Sequence, residues 1–308
     1  MGLGTARAQA YPARPVHLLV GLPAGGGADV VARTIAAALG ERLGQQVLVE
    51  NRTGSAGLVA ADAVAKAPAD GHTLLFGGVS SHAIFASLYR KLPYDPVKDF
   101  APISLLATYP LVLVVAASSP VHTIEEFVAR AKSMPGQLSY ASAGPGSPLH
   151  LSMEMLKNKT GIDVVHVPYR GGVQAIGDLL NDRLHAIFDA LPTQLAHIQA
   201  GKVRAIAVTG RSRAAQLPAV PTLGERAVPG FEFQGWFALF APAGVAEPVV
   251  SRLHADVVAA LHAPDVRQRL TQLGVEPAPS SPAELARFQR DEIATWGQAV
   301  RLSGATVE

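Results

Sequence analysis

Short apolar runs alternate with segments of helical periodicity along most of the chain. The run Val16–Val20 is typical of a buried strand. It is followed by Val31, Ile35, Leu39 and Leu43, which recur every fourth residue and therefore occupy one face of a predicted helix. The same order of strand, loop and helix recurs from there onwards. This repetition predicts an α/β fold built on an open, mainly parallel sheet.

Two interruptions of this pattern divide the predicted elements into two groups. The first follows an apolar strand at 111–117, and the second lies in a later stretch rich in proline. We therefore predict two lobes joined by two hinge crossovers. Lobe 1 comprises residues 11–116 and 235–308, and lobe 2 comprises residues 117–234. Two closing helices, at about Glu247–His262 and 282–301, are expected to return to lobe 1.

Two Gly-rich turns connect a predicted strand to a predicted helix, at residues 21–29 and 142–148. A turn of this kind exposes backbone N–H groups at the start of a helix, where the helix dipole adds partial positive charge. Two such turns facing one cleft would bind a small anion without a lysine or an arginine. The alternative for each turn is a tight connection that binds no ligand.

Further polar residues lie where they could contribute to the same cleft. The turns at 77–82 and 169–172 follow predicted strands in a similar way. His150 lies one helical turn beyond Ser147, although a partly buried polar contact and a plain helix cap explain these two residues equally well. Asp189 ends a predicted strand, where ligand groups collect in open α/β sheets. It could receive a ligand ammonium or hydroxyl group, or it could cap the following helix.

Composition and motifs exclude several classes of function. The 308 residues carry 26 basic and 24 acidic side chains without a basic block, so we expect no nucleic-acid partner. The chain has no cysteine, and its histidines lack metal-binding spacing, so we expect neither a metal nor a cofactor. The Gly turns lack the spacing of nucleotide-binding motifs, and no serine lies in a nucleophile elbow. No apolar run reaches the length of a membrane span.

The N-terminus contains a candidate export signal. Ala8, Gln9 and Ala10 match the small-x-small pattern of a signal-peptidase site, with Tyr11 as the first mature residue. The residues before this site lack an apolar core. The match is therefore either the remnant of a truncated signal peptide, over residues 1–10, or a chance occurrence. The absence of cysteine is compatible with an oxidising compartment such as the bacterial periplasm.

A series of motifs runs in a fixed order along nearly the whole chain. It comprises Pro-x-Gly-Gly-x-x-Asp at 23–29, Val-Glu-Asn-Arg-Thr-Gly-Ser-Ala-Gly at 49–57, Leu-Pro-Tyr-Asp at 92–95, the second Gly turn within 140–150, His-Val-Pro-Tyr-Arg-Gly-Gly at 166–172, the segment 213–225, and Trp236 before Ala-Pro-Ala-Gly at 241–244. One such motif would be weak evidence of a family, but this many motifs in a fixed order are specific to one. The chain resembles the Bug-type solute receptors, the extracytoplasmic binding components of tripartite tricarboxylate transporters.

This resemblance implies a two-lobed periplasmic binding protein with a type II-like, Venus-flytrap architecture. It implies a non-enzymatic periplasmic receptor that captures a small carboxylate, such as a dicarboxylate, tricarboxylate, amino acid or aromatic acid. Its partners would be the membrane permease subunits of the transporter, and we expect a monomer. Two alternatives stay open. One is a carboxylate sensor that acts on a signalling partner, and the other is an enzyme on a similar scaffold with His82 or His150 as its base.

The resemblance also implies which residues contact the ligand. In the family, one carboxylate is held largely by loop backbone and ordered waters, which here corresponds to 22–26 and 142–147. Ala24 departs from the family pattern, in which a second glycine or proline is common, and this could alter the loop. The expected ligand-binding residues are Leu22, Pro23, Ala24, Gly25, Gly26, Asp29, Ser80, Ser81, His82, Ser142, Ala143, Gly144, Gly146, Ser147, His150, Arg170, Gly171 and Asp189.

Overall fold

The computed structural model describes residues 11–169 and 172–307. Its strands are β1 (Val16–Val20), β2 (Val47–Asn51), β3 (Thr73–Gly78), β4 (Phe100–Ala116), β5 (Leu138–Ser142), β6 (Val164–Pro168), β7 (Ala186–Ala190), β8 (Val203–Val208), β9 (Gln234–Pro242) and β10 (Glu276–Pro277). Its helices are α1 (Gly27–Leu43), α2 (Leu58–Ala65), α3 (Phe85–Leu88), α4 (Ile124–Ser133), α5 (Pro148–Thr160), α6 (Gly172–Leu180), α7 (Leu191–Gln199), α8 (Leu223–Arg226), α9 (Glu247–His262), α10 (Pro264–Gln272) and α11 (Pro282–Ser303).

The strands form two half-sheets that share β4. The first half-sheet has the order β2-β1-β3-β9-β4, with β10 also on β4, and the second has the order β4-β7-β5-β6, with β8 on the other side of β4. The pairs of β1 with β2 and β3, and of β5 with β6 and β7, are parallel. Every described pair that involves β4 or β9 is antiparallel. The α/β class is therefore confirmed, but the prediction of a mainly parallel sheet is wrong.

Strand β4 connects the two half-sheets, and it is much longer than the predicted strand at 111–117. Its residues 100–110 pair with β9, and its residues 111–116 lie between β7 and β8. The sequence obscured the first part because Pro102 and Pro110 interrupt the apolar run, and proline normally marks the end or the edge of a strand. The exact residue boundaries given above for the two lobes stay a prediction.

The closing helices pack mainly against the first half-sheet. Helix α9 packs against α1 and β4, and α11 packs against β4, α3 and α5. Helix α10 was not predicted; a single residue, Ala263, separates it from α9, and it packs against α1 and α9. The cap of α11 is a capping box, because the Ser281 hydroxyl accepts from the Glu284 amide while the Glu284 carboxylate accepts from the Ser281 amide.

Removal of this cap tests how strongly the start of α11 stabilises the fold. We expect Ser281→Ala to lower the free energy of unfolding by about 1 kcal/mol. The Glu284 amide loses its acceptor, and the hydrogen bond from the Ser281 amide to the Glu284 carboxylate loses its partner in the capping box. Urea denaturation measures the change. Ser133→Ala is the matched control, since the Ser133 hydroxyl donates only to the Arg130 carbonyl at the end of α4. Equal losses in the two variants would contradict a specific role for the cap.

Candidate functional site

A cavity of about 400 Å³ lies between the loops of the two half-sheets. The first half-sheet contributes the loops after β1, β2 and β3, and the second contributes the loops after β5 and β7 with the first turn of α6. Its described lining residues are Leu22, Pro23, Ala24, Gly25, Gly26, Gly27, Ala28, Ala56, Ser80, Tyr109, Ala143, Ser147, Pro148, Leu149, Gln174, Asp189, Ala190, Pro192, Thr193 and Phe237. None of these is a lysine or an arginine.

Four helices begin at this cavity. Gly27 and Ala28 open α1, Pro148 and Leu149 open α5, Gln174 lies in the first turn of α6, and Ala190 to Thr193 open α7. The N-terminus of a helix carries a partial positive charge and leaves its first N–H groups without intrahelical acceptors. The partial positive charge at these helix starts therefore comes from backbone rather than from ionised side chains.

The first Gly turn is held in shape by the carboxylate of Asp29, which is only 3% exposed. Asp29 Oδ2 accepts from the Gly25 amide at 2.9 Å and from Arg33 Nε at 3.0 Å, and Oδ1 accepts from Asn51 Nδ2 at 2.9 Å. The same Asn51 amide group donates to the Leu22 carbonyl. Burial alone would raise the pKa of Asp29, but the hydrogen bonds from Arg33, Gly25 and Asn51 lower it overall.

Asp29 therefore supports the turn and does not line the cavity. Its carboxylate accepts the hydrogen bond of the Gly25 amide, and the Gly26 amide donates to the Pro23 carbonyl at 3.3 Å. The amides of Gly27 and Ala28 have no acceptor among the described residues. The donors available to an anion thus lie just beyond the predicted segment 22–26. In the sequence, the start of the amphipathic helix α1 indicates where these donors lie.

The second Gly turn is likewise stabilised by its own polar groups. The Ser142 hydroxyl is 2.7 Å from His166 Nε2, and the Ser147 hydroxyl donates to the Gly144 carbonyl and accepts from the His150 amide. The Gly146 amide donates to His150 Nδ1 at 3.2 Å. Burial lowers the pKa of His150, which favours the neutral ring that this hydrogen bond requires.

The consequence is that few groups of the second turn face the cavity. Ala143 and Ser147 line it, whereas Ser142, Gly144, Gly146 and His150 do not. Ser147 caps α5, as one of the two interpretations of this residue held. The Leu149 amide, in the first turn of α5, has no acceptor among the described residues.

The turn after β3 is part of a π-helical turn. This turn, Ser80–Ile84, precedes the short α3. This turn directs His82 into the core, where its ring stacks on Phe240 at a centroid distance of 3.9 Å and its Nδ1 lies 2.9 Å from the Ser81 hydroxyl. Complete burial lowers the pKa of His82 to about 3. Ser80 lines the cavity, while Ser81 and His82 do not.

Asp189 lines the cavity at the end of β7 and is 4% exposed. Its Oδ1 accepts from the Ala190 amide and its Oδ2 from Gln194 Nε2, each at 2.8 Å. Burial raises the pKa of Asp189 to about 6, against the opposing effect of these two hydrogen bonds. No cation pairs with it among the described residues. It does not cap α7 through the usual amides, because the cap residue of that helix is Ala190.

The floor of the cavity is aromatic and was not predicted. Tyr109 on β4 and Phe237 on β9 lie on neighbouring strands, with their rings stacked at 4.7 Å. Neither residue was predicted to belong to the site, because the pairing of β4 with β9 joins segments more than 100 residues apart.

Half of the expected ligand-binding residues come together at this cavity. They are Leu22, Pro23, Ala24, Gly25, Gly26, Ser80, Ala143, Ser147 and Asp189. Arg170 and Gly171 lie outside the described residues. Asp29, Ser81, His82, Ser142, Gly144, Gly146 and His150 lie behind the lining. That the lining residues contact a ligand stays a prediction.

Two searches of the described residues bear on other kinds of function. Nowhere in 11–169 or 172–307 do three or more histidine or acidic side chains group in a way that could hold a metal ion. Within the same residues, no helix is both long enough and apolar enough to cross a membrane.

The two half-sheets with a cavity between them are the architecture of a two-lobed binding protein. Residues 31–304 match the family described as "Tripartite tricarboxylate transporter family receptor". The chain belongs to this family of solute-binding receptors.

Individual relatives support the same conclusion. BugT of Bordetella pertussis is 36% identical over 302 residues, which cover 98% of this chain and 93% of BugT. A protein from the tcbD-tcbE intergenic region of a Pseudomonas species is 41% identical over 295 residues, which cover 96% of this chain and 88% of that protein. The resemblance to Bug-type receptors is therefore confirmed.

Solved structures of similar proteins share the fold. Rpa4515 of R. palustris, solved with adipate, has a TM-score of 0.92 at 37% identity and covers 96% of this chain and 100% of its own. The periplasmic binding protein BugD has a TM-score of 0.90 at 32% identity, covering 97% and 100%. MatC of Rhodopseudomonas palustris, solved with malate, has a TM-score of 0.87 at 36% identity, covering 94% and 100%. The predicted two-lobed periplasmic binding-protein fold is confirmed.

The Asp29 network predicts a pH-dependent contribution to stability. We expect Asp29→Asn to lower the free energy of unfolding at neutral pH by about 1–3 kcal/mol, because a buried charge-assisted hydrogen bond and an amide acceptor are lost. The pKa of Asp29 is lowered on folding from its usual 3.8, so this stabilisation is present above that value and disappears as the pH falls below it.

The measurement is urea denaturation at neutral pH and near pH 3. The difference between wild type and Asp29→Asn should shrink on acidification. Asp265→Asn is the control, since Asp265 also lies in the first turn of a helix but is exposed. A difference that stays constant with pH would show that the Asp29 carboxylate does not act through its charge.

Proposed function

We propose that this protein is a non-enzymatic periplasmic receptor that captures a small carboxylate in the cavity between its lobes and delivers it to membrane permease subunits. The family supports the receptor role, and the adipate and malate found in Rpa4515 and MatC support a carboxylate as the ligand. BugD, described as a periplasmic binding protein, supports the compartment.

The observation that carries the proposal is the convergence of four helix N-termini on a cavity without a lysine or an arginine in its described lining. The amides of Gly27 and Ala28 from one side and of Leu149 from the other are donors with no acceptor in the part of the chain that the structure describes. A carboxylate placed between them would receive charge-assisted hydrogen bonds from backbone that is already oriented. No side chain has to be desolvated as an ion to provide them.

The end of the ligand opposite this carboxylate would contact Asp189. This carboxyl group accepts two hydrogen bonds and has no described cation beside it. It therefore suits a ligand group that donates, such as a hydroxyl, an ammonium or a protonated carboxyl group. A ligand carboxylate would fit only where Asp189 is itself protonated.

The arrangement of the histidines favours binding without catalysis. His82 stacks within the aromatic core, and His150 accepts a hydrogen bond from the Gly146 amide behind the lining. Neither ring lies on the cavity, so neither candidate for the base of an enzyme is positioned to act on a bound molecule.

Ligand-induced stabilisation tests the proposal. The protein is unfolded, dialysed and refolded, its ligand-free state is verified by mass spectrometry, and its melting temperature is measured with a panel of carboxylates led by adipate and malate. We expect at least one acid to raise the melting temperature in a concentration-dependent way. Absence of stabilisation by every acid would contradict the proposed function.

A proline substitution tests the role of a single backbone donor. Gly27 is the first residue of α1, where proline fits, and Gly26 before it has the extended conformation that precedes proline favourably. Gly27→Pro removes the N–H group, and Gly27→Ala keeps it. A β-carbon at residue 27 would lie 3.2 Å from Pro192 in both variants, so the alanine variant accounts for crowding.

We expect Gly27→Pro to bind the stabilising acid about tenfold more weakly than Gly27→Ala, because one charge-assisted hydrogen bond is lost. Isothermal titration calorimetry measures both affinities. Equal affinities would mean that the Gly27 amide does not bind the carboxylate.

The buried Asp189 predicts that dicarboxylate affinity depends on pH. Its pKa is raised to about 6, so it is protonated below this value and can donate to a ligand carboxylate. We expect the affinity for adipate or malate to fall by about tenfold or more as the pH rises from about 6 to 8, since the two negative charges then repel each other. Asp189→Asn resembles the protonated form, so its affinity should vary little over this range. An unchanged pH profile in that variant would contradict the role of Asp189.

A further inference from the structure

Tyr109 occupies the floor of the cavity at the point where β4 passes from one half-sheet to the other. It pairs with Gly235 on β9, and its ring lies flat across that glycine. A β-carbon at residue 235 would overlap the ring, so only glycine permits this position. Phe237, two residues further along β9, stacks on the same ring. The ring is therefore held in place by two neighbours on β9.

The Tyr109 hydroxyl group has no hydrogen-bond partner among the described residues. Tyr109 is only 7% exposed, and it belongs to the lining of the cavity. The hydroxyl groups of the other buried tyrosines are satisfied, since Tyr94 donates to the Ser81 carbonyl and Tyr140 donates to the Glu154 carboxylate. A buried phenol normally finds a partner. The Tyr109 hydroxyl group is therefore available to an atom that enters the cavity.

This hydroxyl group acts as a donor at any physiological pH. Burial raises the pKa of Tyr109, and the charge of Asp189 raises it further, so the phenol keeps its proton. The partner must then offer an acceptor, which for a small metabolite means an oxygen atom. Asp189 lines the same cavity with two oxygen atoms that accept. Tyr109 and Asp189 thus add a donor and an acceptor to those of the helix amides.

We propose that Tyr109 is a specificity-determining residue whose hydroxyl group donates to a ligand oxygen, and that Tyr109 and Asp189 together select carboxylates carrying a second, uncharged group that both accepts and donates. A hydroxyl group or a protonated carboxyl group meets this requirement. An ammonium group leaves the Tyr109 proton without an acceptor, and a methyl group leaves both protein groups unpaired. The inference rests on the proposed function and extends it to the class of ligand.

Matched straight-chain acids of graded length test this selection. Each length is offered with a methyl, hydroxyl or ammonium group at the far end, and affinities are measured by calorimetry for wild type and Tyr109→Phe. We expect wild type to bind the best hydroxy acid about tenfold more tightly than the methyl acid of the same length. Tyr109→Phe keeps the ring and should lose this preference, while its affinity for the methyl acid stays unchanged.

Tyr11→Phe is the control for loss of a tyrosine hydroxyl group. The Tyr11 hydroxyl donates to the Gly71 carbonyl at 2.7 Å, away from the cavity lining, so this variant should retain the wild-type preference. Two results would overturn the inference while leaving the proposed function intact. One is an unaltered preference in Tyr109→Phe, and the other is an equal loss for methyl and hydroxy acids, which would indicate a change of shape. If the wild-type protein binds no acid, both the inference and the proposed function are contradicted.

Discussion

An anion buried without a cation requires donors that are fixed before it arrives, and in the proposed site the peptide backbone would supply them. Four helices begin at the cavity, and the described lining contains no lysine or arginine. Oriented amides in a site of low dielectric constant interact with charge more strongly than they would in water, and they need no reorganisation. The surrounding polar groups serve this arrangement. The carboxylate of Asp29 holds the first Gly turn, and His150 and His166 hold the second, so that each loop leads into its helix.

Close approach of the two half-sheets depends on the same turns. The backbone of Gly27 lies against Pro192 at the start of α7, and Gly146 lies against Leu88 from α3. The connections between the half-sheets include β4, which carries Tyr109 on the cavity floor. The turns and β4 therefore lie in one contiguous set of contacts around the cavity. A molecule bound in the cavity would touch elements of both half-sheets at once, which is the physical basis of hinge closure on a ligand.

Much of this organisation could be predicted from local sequence. The strand-to-helix position of each Gly turn follows from spacing and composition, and Asp189 was found because it ends an apolar strand. Long-range contacts could not be predicted. Asn51 joins the Asp29 network from a different strand, Tyr109 reaches the site through the pairing of β4 with β9, and the π-helical turn that buries His82 leaves no periodic signal. The sheet was expected to be mainly parallel because antiparallel pairs between distant strands carry no local signature.

The central claim is that backbone amides at helix starts hold the carboxylate, and residue-resolved NMR of the amide protons tests it most directly. The protein, labelled with nitrogen-15, is titrated with whichever of adipate or malate stabilises it. The account predicts that the amide protons of Gly27, Ala28 and Leu149 move downfield on binding, as expected for new hydrogen bonds to an anion. The Gly25 amide, already bonded to Asp29, should move little. Binding that leaves the first three amides unshifted would contradict the account.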